Sequence, residues 1–124
     1  MTKEQPKNPT IQEAFELFKQ LCLQYQKRFE LSHWKINLAL LPLGKECFSR
    51  TRANPIACIA DIEMNSEVPQ QYLTEEEIDR CARHELIHVL TRKLRMLADN
   101  RFVSSQEINM AEEELTKRLE EIIK

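Results

Sequence analysis

The chain has 124 residues, 42% of them hydrophobic and 31% charged, with a formal net charge of −2. That balance fits one soluble globular domain and supplies no field for gathering nucleic acid or an anionic membrane. A single glycine excludes the Gly-rich phosphate loops of P-loop and dinucleotide-binding folds, and no apolar run reaches the ~18–20 residues that cross a bilayer.

The opening MTKEQPKNPT is polar and lacks the apolar core of a signal peptide. Residues 1–9 read as a flexible tail, and 10–124 as one domain. Cys22, Cys47, Cys58 and Cys81 show no C-x-x-C pairing, so reduced thiols and a cytoplasmic location are expected. Three S/T-x-x-E capping boxes follow at Thr10/Glu13, Thr74/Glu77 and Ser104/Glu107. In each, a hydroxyl and a carboxylate can satisfy the N–H groups that a helix start leaves unpaired. Apolar residues at helical spacing come after each box, which predicts helices near 11–30, 75–98 and 105–123.

Between the first two helices the period changes. In WKINLALL, Trp34, Ile36, Leu38 and Leu40 share one side; in IACIADIEMN, Cys58, Ala60, Ile62 and Met64 oppose Ile59, Asp61 and Glu63. A weaker strand at 46–52 is flanked by Pro42-Leu43-Gly44 and Asn54-Pro55 turns. The expected architecture is α+β: an N-terminal helix, a small antiparallel sheet of two or three strands, then two helices, with helices on one face of the sheet.

The second helix carries CARHELIHVL at 81–90, which holds two of the chain's three histidines. His84 and His88 are one turn apart and leave the same side. At ~100° per residue, Glu85 lies off to one side of the pair. Ile78, Ala82, Leu86, Val89, Leu90, Met96 and Leu97 form the main apolar arc, while Ile87 and Leu94 flank the histidines from the other side. A catalytic zinc takes three protein ligands and keeps one position open. Two imidazoles supply two of them, and Glu85 is aimed past the metal to act as general base on its water, the H-E-x-x-H arrangement.

A third ligand must come from elsewhere. Thr91 and Leu94 stand where a metzincin needs glycine and histidine, which excludes that subclass. In the last helix the apolar stripe is Ile108, Ala111, Leu115, Leu119, Ile122 and Ile123, and Glu112 falls inside it while Glu113 and Glu114 point to solvent. A carboxylate in a core-facing stripe is costly unless charge or metal compensates it. Across the 99–104 loop, antiparallel helices bring Glu112 level with His88. Glu112 is therefore the expected oxygen donor, ahead of Glu113 and His33; Cys81 shares the histidine face but belongs to the same straight helix.

In these features the chain resembles the zincin metallopeptidases, specifically the small, minimal intracellular kind of bacteria and phages. HELIH on a helix, WKINLAL as an early strand, IACIADIEMN as the next and EEELTKRLEEI after the motif carry the likeness. A downstream glutamate makes it gluzincin-like, although the N-E-x-x-S-D form of the second motif is absent. The resemblance implies a cleft floored by the histidine helix and overlooked by an edge strand, residues 56–64, on which peptide adds as a further strand. Asp61 and Glu63 would stand near that cleft or face solvent. It implies a zinc-dependent hydrolase of peptide or protein substrates, with Tyr72, His33 or Arg92 as an assisting donor. Two other readings stand beside it: a zinc-binding adaptor without catalysis, and a nucleic-acid-associated protease suggested by SRTR at 49–52 and RKLR at 92–95, clusters that read more simply as solvated faces.

Overall fold

The computed structural model describes residues 8–45, 47–99 and 104–122. Most of the expected tail and most of the 99–104 loop lie outside them, as does Ile123. Three helices and three strands follow in the order α1 (Ile11–Arg28), β1 (Lys35–Leu41), β2 (Ser49–Asn54), β3 (Ile59–Asn65), α2 (Glu75–Asp99) and α3 (Ser105–Ile122), with a 3-10 turn at Gln70–Tyr72 ahead of α2.

All three helix starts use the expected caps. The hydroxyls of Thr10, Thr74 and Ser104 each accept from the backbone N–H three residues on. At α1 the box is reciprocal, with Glu13 accepting from the N–H of Thr10, whereas the Glu77 carboxylate at α2 turns to Arg80. No helix among the described residues is long and apolar enough to cross a membrane.

The sheet is mixed, in the order β1-β3-β2. β2 and β3 are antiparallel, as expected, and their turn is closed by Asn54 Oδ1, which accepts from the N–H groups of Ile56 and Ala57. β1, however, pairs with β3 in parallel. An all-antiparallel sheet was the expectation, and the cause of the difference lies in the connector 42–48. Two strand spacings amount to about 10 Å, well within the reach of seven residues, so the chain passes over a vacant position that β3 later fills. Buried Asn65 holds the connector there: its Oδ1 accepts from Leu43 N, and its Nδ2 donates to the carbonyls of Gly44 and Cys47. Gly44 takes the left-handed conformation this bend requires (φ +81).

One face of the sheet makes the core. Ala60, Ile62 and Met64 are fully buried against Ala14, Phe18 and Cys22 of α1 and Ile78, Ala82, Leu86 and Val89 of α2. In register with them stand Ser49, Thr51 and Ala53 of β2 and Ile36, Leu38 and Leu40 of β1. The opposite face carries charge: Arg50 and Arg52 close over Glu63, and Asn37 donates to Asp61. Residues 56–64 thus belong mainly to the central strand, not to an edge; the edge beside α2 is β2. Glu63 and Asp61 lie on the face remote from the helices.

Candidate metal centre

α2 presents its histidines away from the core. His84 Nε2 and His88 Nε2 approach to 3.2 Å, and Glu113 from α3 brings Oε1 to 3.2 Å of the first and Oε2 to 3.4 Å of the second. These three side chains form a group able to hold a metal ion. Donors on a tetrahedral zinc at ~2.0–2.1 Å stand about 3.3 Å apart, so the spacing fits such an ion.

Each imidazole is held from behind by a carboxylate. Glu120 Oε2 lies 2.6 Å from His84 Nδ1 and Glu112 Oε1 lies 2.8 Å from His88 Nδ1. An ionised carboxylate only accepts, so each Nδ1 carries the proton and each neutral ring turns the Nε2 lone pair forward. Two lone pairs and the Glu113 carboxylate then converge on one space, three acceptors with no donor among them. A cation satisfies that arrangement.

The electrostatics agree. Burial pulls the His88 pKa down, but the hydrogen bond to Glu112 and the charges of Glu85, Glu113 and Glu112 outweigh it, leaving the value above the ordinary 6.5. Burial pushes Glu112 up, yet its bond to His88 and the charges of Arg92, His88 and Arg95 hold it below 4.5.

Glu85, one residue past His84, leaves the helix toward β2. Its side chain is buried, and its two oxygens accept from Ser49 Oγ and Thr51 Oγ1, each at 2.7 Å. It lines the same cavity, of about 400 Å³, as His84, His88 and Glu113. The inward residues of SRTR therefore hold the glutamate while its arginines pair on the other face, a division that strand alternation could have indicated.

The structure brings together His84, Glu85 and His88 as expected and redistributes the acidic residues around them. Glu112, expected as the oxygen donor, sits behind His88 on Nδ1; Glu113, expected to face solvent, stands in front. The reason is the rotation of α3 about its axis. With Ile108 at zero, the buried residues Glu112, Thr116 and Glu120 fall at about 40°, 80° and 120°, so a polar arc faces α2 while Ala111 and Leu115 of the apolar stripe are exposed. Glu120 went unread; its signal was this second stripe at helical spacing. His33 is exposed in the turn ahead of β1 and takes no part. Cys81 is buried beside Glu77 and Arg80; burial chiefly, with the charges of Glu77 and Glu85, pushes its thiol up to about 12 against the opposing charge of Arg80. Of the assisting donors considered, Arg92 lines the metal cavity, whereas Tyr72 lines a neighbouring one of about 640 Å³ walled by Phe48, Val68 and Pro69. Set against known proteins, the chain matches no family model, no curated protein and no solved structure.

Proposed function

We propose that the protein is a zinc-dependent metallopeptidase of the minimal zincin-like kind. The observation that carries this reading is the convergence of His84 Nε2, His88 Nε2 and the Glu113 carboxylate on one point, in a cavity that also contains the buried carboxylate of Glu85. Zinc, when bound there, polarises a peptide carbonyl and makes water nucleophilic near neutral pH. Glu120 and Glu112 fix the two imidazoles in the ligating tautomer. Glu85, steadied by Ser49 and Thr51, takes the proton as water attacks and returns it to the leaving amine. β2, the sheet edge beside the cavity, offers unpaired backbone groups on which an extended peptide can add.

A second reading has an observation of its own. Both oxygens of Glu85 are already occupied by the hydroxyls of β2, which suits a strand-to-helix clamp in a zinc-binding adaptor that cleaves nothing. One pair of variants separates the two. Purified protein should carry about one zinc per chain, and His88→Ala should abolish it. Glu85→Gln should keep the zinc and lose about 10²–10⁴-fold of peptidase activity. Cleavage by Glu85→Gln at the parent rate would defeat the enzymatic reading and leave the adaptor.

A further inference from the structure

The RKLR cluster is split by helical geometry. Lys93 and Leu94 are exposed, but Arg92 and Arg95 line the metal cavity, their side chains only 16% and 23% accessible. From His84 they fall at about 80° and 20° around α2, on the histidine side of the helix. Their common counter-charge is Glu112, at 3.9 Å from Arg92 Nη2 and 3.6 Å from Arg95 Nε, both too long for hydrogen bonds. That carboxylate is already bonded to His88. Arg92 Nε and Glu112 Oε2 are buried, and neither has a hydrogen-bond partner among the described residues. Elsewhere arginines are better matched: Arg50 donates to Glu63 at 2.6 Å, and Arg80 donates from Nε to Glu77 at 3.2 Å and from Nη1 to Glu120 at 3.4 Å. Among the described residues, two guanidinium groups thus line a cavity beside the metal centre and share one engaged carboxylate.

We infer that this end of the cavity is an anion subsite that binds a carboxylate of the peptide, through the paired guanidinium groups of Arg92 and Arg95. The inference rests on the peptidase reading and names its substrate class. Planar guanidinium groups match a carboxylate with parallel N–H donors, and such charged hydrogen bonds are strong where water is scarce. The spacing sets a register. Arg92 and Arg95 lie about 6 and 10 Å beyond His88 along the helix, at ~1.5 Å per residue, and an extended peptide advances ~3.3 Å per residue. The carboxylate therefore belongs about two or three residues from the bond held at the metal. It can be the C-terminal carboxylate of the peptide or an Asp or Glu side chain at that distance. A nucleic-acid strand suits the site less: Glu85, Glu112 and Glu113 line the same cavity and would repel a run of phosphates, whereas one carboxylate need only reach the arginines.

Binding can be read without turnover in the zinc-loaded full chain carrying Glu85→Gln. Three peptides of one neutral sequence serve as probes in calorimetry: the free acid, the C-terminal amide, and the amide with one internal Glu. At least one charged peptide should bind about ten- to hundredfold more tightly than the neutral amide, and which one does so identifies the source of the carboxylate. Adding Arg95→Gln or Arg92→Gln should remove most of that preference, with Arg95→Lys keeping part of it; unchanged zinc content and thermal unfolding certify the fold, and the lysine variant serves if a glutamine variant fails to fold. Equal binding of the three peptides, no binding of any, or a preference that survives both arginine substitutions overturns the subsite. So does displacement of the peptide acid by a short oligothymidylate in an arginine-dependent way. If the parent protein cleaves none of the peptides while the acid still binds through the arginines, the peptidase reading falls and the subsite stands; cleavage without preference removes the subsite alone.

Discussion

α2 has two sides, and they are held by different physics. Toward α1 and the sheet it offers Ile78, Ala82, Leu86 and Val89, which meet Phe18, Cys22, Ile62 and Met64 in a dry interior. Toward α3 it offers Arg80, His84, His88, Arg92 and Arg95, which meet Glu112, Glu113 and Glu120. The first contact stabilises under almost any condition, because apolar burial depends little on pH or ions. The second buries carboxylates and imidazoles whose desolvation is offset only while protons or a metal are correctly distributed. Meanwhile Leu94, Ala111 and Leu115, which could have made an ordinary apolar seam, stay exposed. α3 is therefore docked through ionisable groups, and its attachment is conditional where that of α1 is not.

The largest effect should come from the unconditional side. Phe18→Ala removes a fully buried side chain and should destabilise the protein by about 3–5 kcal/mol, and Ile62→Ala by about 2–5 kcal/mol. Hydrogen exchange should then rise in α1, α2 and α3 together, with or without zinc. On the conditional side, the proposed zinc at a thousand times its dissociation constant would oppose the undocking of α3 by about 4 kcal/mol. Its protection should appear at 105–122 and the adjoining face of α2 and be nearly absent from 11–28. Chelation that loosens α1 as much as α3 would erase the distinction between the two sides.

The pH dependence of the metal-free protein sharpens the same contrast. His88 has a folded value above its ordinary 6.5, so its contribution is complete below that value and is lost as pH rises through the folded one. Glu112 has a folded value below 4.5, so its contribution is complete above that value and is lost as pH falls through the folded one. The His88–Glu112 pair therefore holds α3 best between the two ordinary values, at about pH 5–6, and less well at alkaline pH, above the folded value of His88. Zinc requires neutral imidazole, so the loaded protein should show the reverse order. Urea unfolding at the two pH values, with chelator and with zinc, reads both signs, and His88→Gln should abolish the metal-free difference.

What was legible in the sequence was local. His84, Glu85 and His88 share one helix, so their relative directions follow from a fixed pitch, and the inward faces of β1 and β3 follow from a period of two. The non-local parts were hidden. The parallel pairing of β1 with β3 depends on where the 42–48 connector crosses, which no strand pattern encodes. The exchange of Glu112 for Glu113 at the front of the site depends on the rotation of α3. Its apolar stripe argued for one orientation, and the carboxylates matched to α2 sit about 80° further round. Periodicity alone weighs apolar residues, whereas this interface is packed through the pairing of acidic side chains with histidines and arginines.

Thr116 measures that decision at the smallest scale. It is fully buried within the acidic stripe, and its hydroxyl donates to the Glu112 carbonyl at 2.8 Å. Thr116→Val keeps the shape and removes the hydroxyl, so the loss should be about 0.5–1 kcal/mol. The substitution also leaves one buried residue between Glu112 and Glu120 apolar. If the polar lining steadies the two carboxylates behind the imidazoles, zinc should bind a few-fold more weakly to the variant, while hydrogen exchange in α1 stays as it was. A variant that is more stable and binds zinc as well as the parent would mean that the interface needs only its carboxylates, and that the surrounding polarity contributes nothing to holding them.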